Sequence, residues 1–154
     1  MGSLINEDLI VLDMEGEDRD SIIKSLGELI DRNGNLNSVA EYLQTVFERE
    51  EKSSTGVGYG IAIPHGKSEG VDKPAIAFAR LKEAVEWESF DDKPVKLVFL
   101  LAVPAKSESN EHLKILSTLS RNLLNEEFKD NLISAENTED INDILSKMFS
   151  TINN

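Results

Sequence analysis

The sequence predicts an α/β sandwich, a sheet with helices on both sides, and three observations carry that prediction. Apolar runs of strand length alternate along the chain with segments whose apolar residues recur at helical spacing. One run, 95–103, is apolar at every residue but Lys96, as expected of a strand covered on both faces. The 154 residues fit a single domain, 1–154, long enough to bury a core without disulfide or metal staples.

The elements follow in order. Leu9-Ile10-Val11-Leu12 reads as a short strand. Asp18 or Asp20 caps a helix that runs from Asp20 to about Asn33, with Ile22, Ile23, Leu26, Leu29 and Ile30 on one face and Asn33-Gly34 as its stop. Ser38-Val39-Ala40-Glu41 is a capping box, opening a second helix to about Glu51 with Val39, Leu43, Val46 and Phe47 as its buried stripe. Ser53 to Gly60 is small and glycine-rich, hence a loop. Ile61-Ala62-Ile63 is a brief strand stopped by Pro64. Further strands are expected at Ala75–Leu81 and at 95–103, the latter bounded by Pro94 and Pro104. A third helix spans about Asn110 to Leu124, with Ser109 as a cap and Leu113, Leu116, Leu119 and Leu123 at helical spacing. A short helix follows at Glu126–Ile133. Asn137 or Thr138 caps the last, whose apolar face is Ile141, Ile144, Leu145, Met148 and Phe149. Strand order does not follow from this pattern.

Composition excludes several functions. Sixteen basic and 29 acidic residues give a net charge of −13, which repels nucleic-acid phosphates and anionic membrane surfaces. With no cysteine there is no disulfide framework, thiol catalysis or thiolate metal site, in keeping with a reducing cytoplasm. No apolar run approaches the roughly 20 residues of a membrane span. The first residues lack the basic and apolar regions of a signal peptide, and Gly2-Ser3 reads as a cloning remnant.

Chemistry points to histidine, of which there are two. A neutral imidazole is a usable nucleophile near pH 7. His65 lies in Gly60-Ile61-Ala62-Ile63-Pro64-His65-Gly66, where the strand is expected to end at Pro64 and present the ring on the following turn. The upstream glycines, Gly56 to Gly60, can offer backbone N–H groups to an anion. A lone histidine is more often an unremarked turn residue, and the flanking glycines and proline weigh against that reading. His112 falls in the first turn of the third helix, where the dipole favours a phosphate over an imidazolium, although a first-turn histidine without a role is the commoner case. Arg49 ends the second helix; its guanidinium suits phosphate oxygens, but a cation complementing the helix dipole is commoner. Ser54 and Thr55 can hydrogen-bond a phosphate oxygen or serve as turn residues.

Competing motifs fail. Gly60 to Ser68 has five residues between its glycines where a P-loop has four, and its interior is β-branched and contains proline. Gly56-Val57-Gly58-Tyr59-Gly60 lacks dinucleotide-fingerprint spacing and precedes its strand. Two histidines without cysteine argue against zinc, and no cofactor is called for.

Together, Ser54-Thr55-Gly56-Val57-Gly58-Tyr59-Gly60-Ile61-Ala62-Ile63-Pro64-His65-Gly66, the upstream Arg49-Glu50 pair and Asn110-Glu111-His112 resemble the fructose/mannitol-type enzyme IIA domain of the bacterial phosphoenolpyruvate-dependent sugar phosphotransferase system. The resemblance covers nearly the whole chain. It implies a mixed, mostly parallel sheet flanked by helices. It implies that His65 accepts a phosphoryl group from the phosphocarrier HPr through Nε2 and passes it to a IIB component. His112 would sit beside His65 and support the phosphorylated state, while Arg49 and Thr55 would contact phosphoryl oxygens. An apolar docking patch around His65, including Val57, Tyr59 and Ile63, is expected. The alternative within the same fold is a nitrogen-regulatory IIA-like protein, whose phosphorylation state controls protein partners. Fructose is the first expectation for the sugar by prevalence, with mannitol and galactitol behind; oligomeric state does not follow from the sequence.

Overall fold

The computed structural model describes residues 4–107 and 111–150, without the side chains of 111 and 112. After a 3-10 turn at Glu7–Leu9, the chain forms β1 (Ile10–Met14), α1 (Arg19–Arg32), α2 (Val39–Lys52), β2 (Gly56–Gly58), β3 (Ile61–Ala62), β4 (His65–Ser68), β5 (Ala75–Val85), β6 (Val95–Pro104), α3 (Glu111–Leu123), α4 (Glu126–Ser134) and α5 (Thr138–Phe149). The strands make one open sheet in the order β1-β5-β6-β3-β2, with β4 also on β6. Among the described residues, the pairings of β1 with β5 and of β3 and β4 with β6 are parallel, whereas β5/β6 and β2/β3 are antiparallel. The mixed α/β sheet is the expected fold class.

Sheet and helices share one core. Ala75 to Ala79 and Leu97 to Val103 are all buried. Side chains alternate between faces along a strand, so a run buried at every residue needs cover on both sides. Helices α1 and α2 pack together, with α1 against β5 and α2 against β4; α3 packs on α4 and α5, and α5 reaches β1.

Helix starts follow local chemistry. Asp18 caps α1 through a reciprocal box with Ser21: its Oδ1 accepts the Ser21 N–H at 2.8 Å and the Ser21 Oγ accepts the Asp18 N–H at 3.3 Å. Ser38 Oγ accepts the Glu41 N–H at 3.2 Å. Asn125 and Asn137 cap α4 and α5. The expected Ser109 cap lies outside the described residues.

Four expectations need correction. The deepest stripe of α2 is Tyr42, Val46 and Glu50, with Val39, Leu43 and Phe47 only partly buried. In α3, Leu113 is exposed and Ile115 is buried instead. Ser53 to Gly60 is not wholly loop: Gly56–Gly58 pairs with β3 as the edge strand β2. Pro64 interrupts the strand without ending it. β6 is 10 residues long, enough to pair with β3 at Leu97–Val98 and with β4 at Leu101–Pro104 along the same edge. After the turn at Gly60 the chain forms two short strands on β6, Ile61–Ala62 and His65–Ser68, the geometry of no P-loop.

The packing of α2 on β4 positions the site. A Cβ on Gly66 would lie 2.9 Å from Val46 Cγ2 and 3.3 Å from Tyr42 Cε1, so glycine permits this close approach. Tyr42 is fully buried and donates its hydroxyl to the Leu101 carbonyl at 2.9 Å, opposite His65 in the β4–β6 register. Burial pushes the phenol well above its usual pKa, which keeps it a neutral donor.

Candidate active site

His65 is the first residue of β4, half-buried, with Lys67 on its face of the strand and the buried Gly66 and Ser68 on the other. It sits in sheet rather than on the turn the sequence suggests. Its Nδ1 lies 3.0 Å from the Ile63 carbonyl oxygen. A carbonyl only accepts, so Nδ1 carries the proton and, in the neutral ring, the lone pair is on Nε2.

Behind His65 is a hydrogen-bonded assembly rooted in Glu50. The last turns of α2 bury this side chain, which is 1% exposed. Its Oε2 accepts the Thr55 N–H at 3.1 Å, and its Oε1 accepts the Thr55 hydroxyl in a short bond. The Trp87 Nε1–H donates to Thr55 Oγ1 at 3.3 Å. Ser54 Oγ donates to the Trp87 carbonyl at 2.7 Å and accepts the Gly56 N–H at 3.0 Å. Thr55 O in turn accepts the Ile63 N–H at 3.0 Å, closing the path to the residue that holds His65. Arg19 Nη1 lies 4.0 Å from Glu50 Oε2.

Hydrogen bonds link Thr55 to His65 through Ile63, and Arg49 adjoins this path at Ser53. Arg49 Nη1 donates to the Ser53 carbonyl at 2.8 Å, using one of five guanidinium N–H groups. Ser54 and Thr55 both donate their hydroxyl hydrogens inward, to the Trp87 carbonyl and to Glu50, and Thr55 is buried. His112 is in the first turn of α3, with its side chain outside the described residues. Sequence reasoning passes over Trp87, and it names Glu50 only as the partner of Arg49 in the pair that carries the resemblance, without a role. The signal for Glu50 was its spacing, i+4 and i+8 from Val46 and Tyr42, which places a carboxylate on the buried stripe. Among the described residues, no three of His, Cys, Asp or Glu are grouped as metal ligands would be.

Upstream, the β2–β3 reversal is tight. Gly58, Tyr59 and Gly60 take φ of 99°, 60° and 78°, a left-handed run strained only at Tyr59. Two side chains hold it. Asp91 Oδ2 accepts the Tyr59 N–H at 2.9 Å and its Oδ1 accepts the Lys93 N–H at 3.1 Å. Lys129 of α4 donates to the Tyr59 carbonyl at 3.3 Å, with its ammonium 5.7 Å from the Tyr59 ring centre. Tyr59 is 61% and Phe90 71% exposed, and Val57 is also exposed, whereas Ile63, expected beside them, is buried. Phe90 flanks β2, its N–H donating to the Gly56 carbonyl at 3.2 Å.

The Tyr59 N–H, and then the Lys93 N–H, hold the Asp91 carboxyl below its usual range. A depressed folded-state pKa gives stability that is present above the ordinary aspartate value and lost as pH falls through the folded value. The Tyr59 amide resonance is expected to titrate with a midpoint below that of an ordinary aspartate. The transition should vanish in Asp91→Ala, as read by ¹H–¹⁵N spectra against pH.

With this geometry in place, similarity to known proteins identifies the family. The family model for the phosphoenolpyruvate-dependent sugar phosphotransferase system, EIIA 2, matches residues 3–148. The chain belongs to this family. The EIIA chain is 38% identical over 141 residues to the fructose-specific EIIA component of the phosphotransferase system of Haloferax volcanii, covering 92% of this chain and 91% of that protein. It is 40% identical over 144 residues to the fructose-specific EIIABC component of Bacillus subtilis, 94% of this chain but only 22% of that longer protein. Among solved structures, the nitrogen regulatory protein IIA-Ntr of Neisseria meningitidis superposes with a TM-score of 0.85 at 36% identity, covering 92% of this EIIA chain and 96% of that one. Among the described residues, no helix of the EIIA chain is long and apolar enough to cross a membrane.

Proposed function

We propose that this chain is a cytoplasmic phosphocarrier of the sugar phosphotransferase system. Nε2 of His65 accepts a phosphoryl group from phospho-HPr and delivers it to a IIB component serving uptake of a fructose-class sugar. The observation that carries this reading is the Nδ1 contact to the Ile63 carbonyl, which puts the ring proton on Nδ1 and makes Nε2 the nucleophilic nitrogen of the neutral ring. In the forward step the Nε2–P bond forms as the bond from phosphorus to the donor breaks. The ring keeps its Nδ1 proton and gains positive charge, which the Ile63 carbonyl dipole stabilises. Delivery reverses this: the Nε2–P bond breaks as the IIB nucleophile bonds to phosphorus, and the neutral ring returns.

The protein's work in such a transfer is to position groups and stabilise charge. Arg49 contributes its remaining guanidinium N–H groups to the phosphoryl oxygens, and His112 supports the phosphorylated ring. Thr55, its hydroxyl hydrogen already donated to Glu50, contributes by placing the 53–56 segment. Val57, Tyr59 and Phe90 are exposed apolar groups on and beside β2, suited to the transient contacts a carrier makes with two partners. The names of the Haloferax and Bacillus relatives support the fructose assignment, and the A, B and C components of the Bacillus protein support a IIB acceptor.

The test is incubation with phosphoenolpyruvate, enzyme I and HPr, followed by intact-protein mass spectrometry. One acid-labile phosphoryl group is expected, lost again when a cognate IIB domain is added. No gain in mass, with a control IIA domain labelled in the same mixture, would overturn the reading. Similarity to IIA-Ntr favours a second reading, in which the same phosphorylation controls protein partners. Labelling by HPr without hand-off to any cognate IIB would select it.

A further inference from the structure

We infer that Glu50 is a positioning residue for His65, acting through Thr55 and Ile63; the inference rests on His65 being the phosphoryl acceptor. Burying a carboxylate is costly unless its oxygens are hydrogen-bonded, and a buried ion pair is often no better for stability than well-packed apolar groups. Glu50 meets the first condition by directing both oxygens at one residue, Thr55, whose N–H and hydroxyl they accept. Its cation, Arg19, is at the outer limit of pairing distance, 4.0 Å. An apolar side chain would fill this space more cheaply. What it could not do is fix Thr55 at two atoms.

Fixing Thr55 matters because of what Thr55 holds. Trp87 Nε1–H occupies an acceptor site on Thr55 Oγ1, consistent with the hydroxyl hydrogen pointing to Glu50. The Thr55 carbonyl takes the Ile63 N–H at 3.0 Å, and the Ile63 carbonyl takes the His65 Nδ1–H at 3.0 Å. Four residues thus run in series from a buried carboxylate to the imidazole. If Thr55 drifts, the Ile63 carbonyl moves off Nδ1. The ring then samples the tautomer with its proton on Nε2, in which the reacting nitrogen is a donor and no longer a nucleophile.

The test uses two variants and one rescue substitution, each read by ring tautomer and by rate. Glu50→Gln keeps the shape but replaces one accepting oxygen with a donor; Thr55→Val keeps the shape and removes the hydroxyl. Long-range ¹H–¹⁵N spectra of the His65 ring report the tautomer directly, without any phosphoryl donor. Wild type is expected to show Nδ1–H. Both variants should show mixed tautomers, with kcat for phosphorylation by HPr down roughly 10–100-fold and KM unchanged. Thr55→Ser, which keeps the hydroxyl, should restore the Nδ1–H tautomer. A merely structural role would lower Tm and leave the tautomer alone. Either folded variant with wild-type tautomer and kcat would overturn the inference, so misfolding of one leaves the other decisive. A tautomer change in variants of a protein that HPr never labels would sustain the inference and overturn the phosphocarrier reading instead.

Discussion

Replacing His65 by alanine is expected to abolish phosphorylation by HPr, so that the intact mass stays at the unmodified value where wild type gains one acid-labile phosphoryl group. The expected loss is complete because the chain offers no substitute. It has no cysteine, and its second histidine, His112, belongs to another element, the first turn of α3. The rest of the site remains: Arg49 still holds the Ser53 carbonyl and Glu50 still holds Thr55. Its hydrogen-bond donors persist without a nucleophile. His65 is only half-buried at the start of a strand, and the backbone pairing of β4 with β6 does not depend on its side chain. The variant should therefore keep a Tm close to wild type, which separates lost chemistry from lost fold. A phosphoryl group retained on the alanine variant would place the acceptor elsewhere and sink the assignment.

Trp87→Ala is expected to be the most damaging change near the site for stability. The indole is fully buried and is among the largest side chains of the core. Truncating a buried tryptophan costs about 3–5 kcal/mol through lost transfer energy and the cavity left behind. For a domain of this size that is a fall in Tm of roughly 10 °C, measurable by calorimetry or thermal circular dichroism. The loss includes more than packing, because the Nε1–H on Thr55 disappears with the ring. Trp87→Phe separates the two effects: it restores most of the bulk without the N–H. Its Tm should recover most of the loss while its phosphorylation rate stays below wild type. Equal recovery of both would assign Trp87 to packing alone.

How much of this was legible depends on the range of the interaction. The helices were, because their signals are local: Asp18, Ser38 and Asn137 bond to N–H groups three residues on. β6 was legible because a strand covered on both faces is apolar at nearly every position. β4 was not, since Pro64 reads as a stop and His-Gly-Lys-Ser has no strand composition; only the spare length of β6 makes it a strand. The burial of Leu113 was overestimated because helical spacing marks a stripe without saying how far along the helix the core extends.

The same division holds at the site. By itself the sequence determined the family, the α/β class and the candidates His65, His112 and Arg49, because motif residues and periodicity are written in the order of the chain. Only the tertiary structure decided that His65 lies in the sheet with its proton on Nδ1, that Thr55 turns its hydroxyl inward, and that Glu50 and Trp87 hold it there. Those contacts join α2, the 53–56 segment, Ile63 and the residues after β5, and the Thr55–Trp87 bond alone spans 32 residues. Hydrogen bonds made across such separations leave no period in the sequence; they exist only once the core has packed and brought their partners within reach.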